Sequence, residues 1–198
     1  RVADKARRSE LYARLGDLER RRGSVRAALD AFAASLQTVP GSAKGQAGLE
    51  TLIGSLSPDD PEKSPLFAAG VATLAQSFEQ AGQTDRWLAL VPAYLLATKN
   101  DLEKCDLLLR AAKLEEEVTN DSLRALERTI QAFALRPEFP NAARQLLERA
   151  QRTGRWDLIA PHLLPALVAR DDIEATVARN LLVSAADWAS GSLNAPTA

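Results

Sequence analysis

The chain has 198 residues, 46% hydrophobic and 26% charged, which fits one or two globular domains with room for a core. Its net charge of −1 supplies no basic footprint for nucleic acid, and no apolar run approaches the roughly 20 residues of a membrane span. One cysteine, Cys105, excludes an intrachain disulfide and a Cys-rich zinc site, and one histidine, His162, excludes a multi-histidine metal site.

Helix signals run from end to end, and no apolar/polar alternation persists long enough to mark a strand. Prolines and glycines cut the chain into helical segments expected near residues 8–22, 25–38, 42–56, 65–81, 84–98, 101–118, 121–135, 139–152, 155–169 and 173–190. The first carries Leu11, Leu15 and Leu18 at helical spacing, with Tyr12 and Gly16 alongside. Gly23 ends it and Ser24 is placed to cap the next, whose Ala28, Leu29, Phe32 and Leu36 share a face before Pro40 stops it. A turn this short makes the two helices antiparallel.

On Tyr12, Leu15-Gly16, Gly23, Ala28, Phe32 and Pro40 the segment resembles a tetratricopeptide repeat, a 34-residue helix–turn–helix unit. Ser35 replaces the usual alanine and Glu19 an aromatic. Gly16 and Ala28 are small, so the helices can approach, and Tyr12 and Phe32 fill the space beside them. Ala125, Thr129, Ala132 and Pro137 repeat the spacing of Ala28, Phe32, Ser35 and Pro40. "RWLALVPAYL" at 86–95 is echoed by "RWDLIAPHLL" at 155–164, about two repeats of 34 later. Pro92 and Pro161 inside these segments predict a kink or an irregular first turn. Each segment follows a glycine, Gly82 or Gly154. Trp87 and Trp156, just after them, suit packing between repeats, and Trp188 suits a cap or a further inter-repeat contact.

The resemblance implies an all-α, right-handed α-solenoid of antiparallel helix pairs, about ten helices in all. Counted alternately, the helix at 121–135 should be a first helix, yet its pattern is that of a second. The proline- and acid-rich stretch 55–65 is the expected irregularity. About 8 extended residues span roughly 27 Å, enough to cross back along a 16-residue helix of roughly 24 Å. The expected organisation is a repeat plus capping helix over 1–56, a loop over 57–64, with a bend there, degenerate repeats over 65–190 and a tail over 191–198.

No phosphate loop, dinucleotide fingerprint or nucleophile elbow is present, so neither a catalytic residue, a cofactor nor a metal is expected. The glycines of "GSAKGQAGLE" lack the preceding strand and the Gly-Lys-Ser/Thr ending. His162 reads as a structural or surface residue, Cys105 as a buried one, and "LEEEV" at 114–118 as a solvated face. The basic opening segment interleaves Asp4, Glu10, Asp17 and Glu19, so most of its arginines can pair at helical spacings.

What the resemblance implies for function is a non-enzymatic scaffold that binds a partner protein, as an extended peptide or a helix, in a concave groove lined by first helices. Candidate partner-binding residues are Asp17, Arg20, Gln76, Arg110, Glu117, Arg144 and Glu148. The Lys/Asn clamp of the chaperone-tail-binding branch is replaced by Ala13 and Asp17. The alternative is a structural spacer of a larger bacterial assembly that self-associates through its terminal helices. Neither nucleic acid nor membrane insertion is expected; the excess of arginine over lysine points to a bacterial source, and a cytoplasmic location is expected, with a leader or anchor outside the fragment left open.

Overall fold

The computed structural model describes residues 2–159 continuously and, beyond them, 161, 162, 176, 179, 180, 182, 183, 186 and 187. Eight helices are complete: α1 (Val2–Arg21), α2 (Val25–Thr38), α3 (Ala43–Gly54), α4 (Ser64–Gln80), α5 (Thr84–Ala97), α6 (Asp101–Glu117), α7 (Ser122–Leu135) and α8 (Pro140–Thr153). Residues 156–159 begin another helix, and there is no strand among the described residues. The expected helices at 155–169 and 173–190, the tail and Trp188 lie wholly or mostly outside the described residues. No helix among those residues is long and apolar enough to cross a membrane.

Local chemistry sets the boundaries. Gly23, Gly82 and Gly154 adopt φ of 79°, 66° and 67°, the left-handed conformation that ends a helix. Ser42, Asn100 and Asp121 cap α3, α6 and α7 by accepting backbone N–H bonds from Gly45, Leu102 and Arg124. Ser24 stands at the N-cap of α2 but its side chain makes no capping bond. α5 runs helical from Thr84 to Ala97 with Pro92 inside it.

The chain divides into two compact units between Lys99 and Asn100. In the first unit, α1 and α2 are antiparallel: Ser9, early in α1, meets Ser35, late in α2, through hydrogen bonds of 2.9–3.0 Å. The hydroxyl that replaces the usual alanine is thus satisfied by a second buried serine. The Phe32 ring of α2 is fully buried, and both α1 and α3 lie against it. A Cβ on Gly16 would sit 2.6 Å from that ring, and one on Gly48 closer still. α3 therefore runs beside α1, with Lys44 2.6 Å from Glu10, 34 residues earlier.

α4 returns antiparallel to α3. Ile53, at the end of α3, lies against Gly70, and Gln46, near its start, bonds Ser77 at 3.0 Å. The loop 55–63 therefore closes a helix hairpin and does not cross back, so α3 is no terminal cap: it packs on α1, α2 and α4. Gly70, Leu74 and Ser77 reproduce the small–large–small spacing of Ala28, Phe32 and Ser35, marking α4 as a second helix. α5 is then a first helix, joined to α3 by Arg86, which donates to Gln46 at 2.5 Å and Glu50 at 2.6 Å. The second unit starts afresh with α6 as first helix, α7 as second and α8 as first, with Glu115 of α6 beside Arg128 of α7 at 3.5 Å. Ala125, Thr129 and Ala132 of α7 are fully buried. The helix missing from a strict alternation thus falls after α5, at the unit boundary.

The leucine spacing of α1 does not mark its buried face. Leu11, Leu15 and Leu18 are 56%, 46% and 54% exposed, whereas Ser9, Ala13 and Gly16 form the buried side of α1. At Gly16 the Phe32 ring of α2 occupies the space a larger side chain would need, and Ser9 instead meets Ser35.

Gly48→Ala should lower the stability of the protein to urea by about 1–3 kcal/mol, since the methyl must displace a packed ring. Gly54→Ala, with open space around its Cβ, should be neutral or raise stability by about 0.5 kcal/mol. Equal effects in urea titrations would show that the ring contact does not govern the packing.

Candidate functional site

In α6, Leu108, Ala111 and Ala112 are buried, which leaves Asp106, Arg110 and Lys113 on the outward side. In α8, Ala142, Ala143, Leu146 and Ala150 are buried, which leaves Arg144, Glu148 and Arg152 outward. Helical periodicity thus places a polar stripe on each first helix, and the two stripes border a groove of about 420 Å³.

Its floor is an ion-pair rung. Glu116 of α6 lies 3.1 Å from Arg149 and 2.8 Å from Arg152 of α8. Arg149 is 5% exposed; it donates to Gln145 at 2.6 Å, and its Nε is buried without an acceptor. Arg144 is held by Asn141 at 3.0 Å. Five cationic side chains face three carboxylates around the groove, so its charge is mixed with a cationic excess. Such an arrangement can bind and orient a polar chain. Among the described residues, no cluster of His, Cys, Asp and Glu could hold a metal.

Of the candidate residues, Arg110, Arg144 and Glu148 are brought together in this groove. Glu117 lies outside its lining, exposed and 3.8 Å from Lys113. Asp17 and Arg20 belong to α1 of the other unit and pair with each other at 3.5 Å. Gln76 is not on a first helix: α4 is a second helix, and Gln76 borders a shallow pocket with Gln37 of α2. Its assignment to a groove followed from placing the break in alternation at the 55–63 loop.

Reading the sequence missed Glu116, Arg149 and Arg152. The signal was a charge of opposite sign one repeat further on: 33 and 36 residues here, 34 for Glu10–Lys44 and 36 for Glu50–Arg86. "LEEEV" is correspondingly less solvated than expected. Glu115 is 2% exposed against Arg128, Glu116 is in the rung, and only Glu117 faces water. Burial raises the Glu115 carboxyl above the usual carboxylate range despite that arginine. The glycines of "GSAKGQAGLE" serve packing: Gly45 abuts Ser35 and Leu36, and Gly48 abuts Phe32. His162 is exposed. Trp87 and Trp156 are buried.

Fold and groove together define an all-α helical-repeat protein whose first helices present paired polar stripes. No known protein family and no curated protein matches the chain. Among solved structures, a crystal structure of the MamA protein is similar over 80% of this chain and 90% of that one. The two are 15% identical with a TM-score of 0.36, a likeness too remote to assign a function.

Two titrations check the site's surroundings. Burial pushes the Cys105 thiol up to about 11, so an aromatic disulfide reagent at pH 8 should leave it unmodified until denaturant is added. Because the folded Glu115 carboxyl holds its proton more tightly than the unfolded one, its ionisation costs stability as pH rises through and above the ordinary carboxylate range. Glu115→Gln should therefore gain melting temperature relative to the wild type from pH 4 to pH 7; a constant difference would refute the assignment.

Proposed function

We propose that the protein is a non-enzymatic interaction scaffold, a tetratricopeptide-like repeat that holds an extended or helical segment of a partner protein in the groove between α6 and α8. The observation that carries this reading is the meeting of Arg110, Arg144 and Glu148 above the Glu116–Arg149–Arg152 rung. The rung fixes the floor of the groove, so little ordering entropy remains to be lost there on binding. The exposed arginines and Glu148 then select a partner by charge pattern, contributing specificity and encounter rate more than raw affinity. Recognition does not run through a C-terminal carboxylate clamp, since Ala13 is buried and Asp17 is occupied by Arg20.

The test is affinity capture from lysate of the native organism, with an Arg110→Glu/Arg144→Glu variant as control. Both side chains are exposed, so the variant should keep its helical circular dichroism. A partner captured by the wild type and lost by the variant is the expected result. Capture of the same proteins by both would place the contact outside the groove and overturn the reading.

A further inference from the structure

α1 has two useful faces. Ser9, Ala13 and Gly16 are buried, toward α2 and α3. At 100° per residue, Leu11, Leu15 and Leu18 fall on the opposite line of the helix, about half exposed each. Three leucines at i, i+4 and i+7 are the spacing by which one helix packs on another. Such a line offers a seat on which another helix can pack.

Charge says what fits it. Arg7 and Arg8 bracket the leucines at one end, and Arg21 and Arg22 at the other. Arg22 is paired with Glu19 at 3.1 Å, and Arg14 with Glu10 at 3.1 Å. Arg7, Arg8 and Arg21 are exposed and make no ion pair among the described residues. We propose that this face of α1 docks an amphipathic helix of a partner protein, apolar along its contact line and acidic at both ends.

A second copy of α1 is a poor occupant. Laid antiparallel it sets Arg7 and Arg8 against Arg21 and Arg22; laid parallel it sets each arginine against itself. An anionic membrane is a poor one too, because Asp4 continues the leucine line and Glu19 borders it. The surface lies on α1 of the first unit and shares no residue with the groove between α6 and α8.

The probe is a displayed library of helical peptides with leucine fixed at i, i+4 and i+7 and the terminal positions randomised among Glu, Ser and Lys, selected on the full chain. Glu should be enriched at both ends. The enriched peptide should bind a Leu11→Ser/Leu15→Ser/Leu18→Ser variant about a hundredfold more weakly. It should bind the Arg110→Glu/Arg144→Glu groove variant unchanged. An Arg7→Glu/Arg8→Glu/Arg21→Glu variant should select Lys in place of Glu. All six positions are exposed, and circular dichroism checks that both variants remain folded. Recovery of no peptide, no preference for Glu, or unchanged binding to the serine variant would overturn the proposal. So would a wild-type dimer in sedimentation that the serine variant dissolves, or wild-type binding to phosphatidylserine vesicles that the same variant loses.

Discussion

The first unit is organised by one ring. Phe32 is fully enclosed where three helices meet, and it can be so only because α1 offers Gly16 and α3 offers Gly48. Glycine is a poor helix former, at a cost of about 1 kcal/mol relative to alanine. Burial of a whole aromatic side chain offsets that, at roughly 1.5–3 kcal/mol. The contact also fixes geometry. With both glycine backbones against the same ring, α1 and α3 must lie side by side, and the polar faces of successive first helices follow from that placement.

Polar groups fasten what the ring positions. Fully buried Gln46 holds its amide nitrogen 2.9–3.0 Å from the Pro40 carbonyl, Ser77 Oγ and Gln83 Oε1, two hydrogens shared among three acceptors, and its carbonyl accepts from Arg86, which also stacks 4.5 Å from the centre of the Phe78 ring. Four elements are tied by one amide, and leaving any of these groups unpaired inside the protein would cost about 1–3 kcal/mol. The ion pairs that cross from one first helix to the next, Glu10–Lys44, Glu50–Arg86 and Glu116–Arg149, add the same registration nearer the surface. Exposed pairs of this kind contribute little stability singly. Arg149 differs because it is buried: removing Glu116 would strand a charge. The floor of the α6/α8 groove is therefore its most constrained part.

The two units use this scheme with different fillings. α7 carries Thr129 at the position of Phe32, and its hydroxyl is satisfied by the carbonyl of Ala125 at 2.8 Å within the same helix. A smaller side chain needs less room, and the buried small residues of α6 are alanines, Ala111 and Ala112, where α1 has a glycine. The shared requirement is a small residue, a filler and a small residue at i, i+4 and i+7 of each second helix. That requirement tolerates enough variation to obscure the repeat in any one unit.

The helices themselves were legible in the sequence. Glycine after α1, α4 and α8, proline near the breaks and the small–large–small spacing are local instructions, and boundaries at 25–38, 84–97 and 101–117 agree closely with the sequence reading. The buried roles of Ala28, Phe32, Ala125 and the two tryptophans were legible for the same reason, since each depends on its own helix's periodicity. Three things were decided only by tertiary packing. Whether α4 is a first or second helix depends on how a proline-rich loop closes, which composition does not encode. Which face of α1 is buried depends on the Phe32 ring of another helix, so three leucines are left in water and a serine, an alanine and a glycine go inside. The groove depends on charges about one repeat apart meeting across two helices, and their pairing exists only once the ladder of first helices is in register.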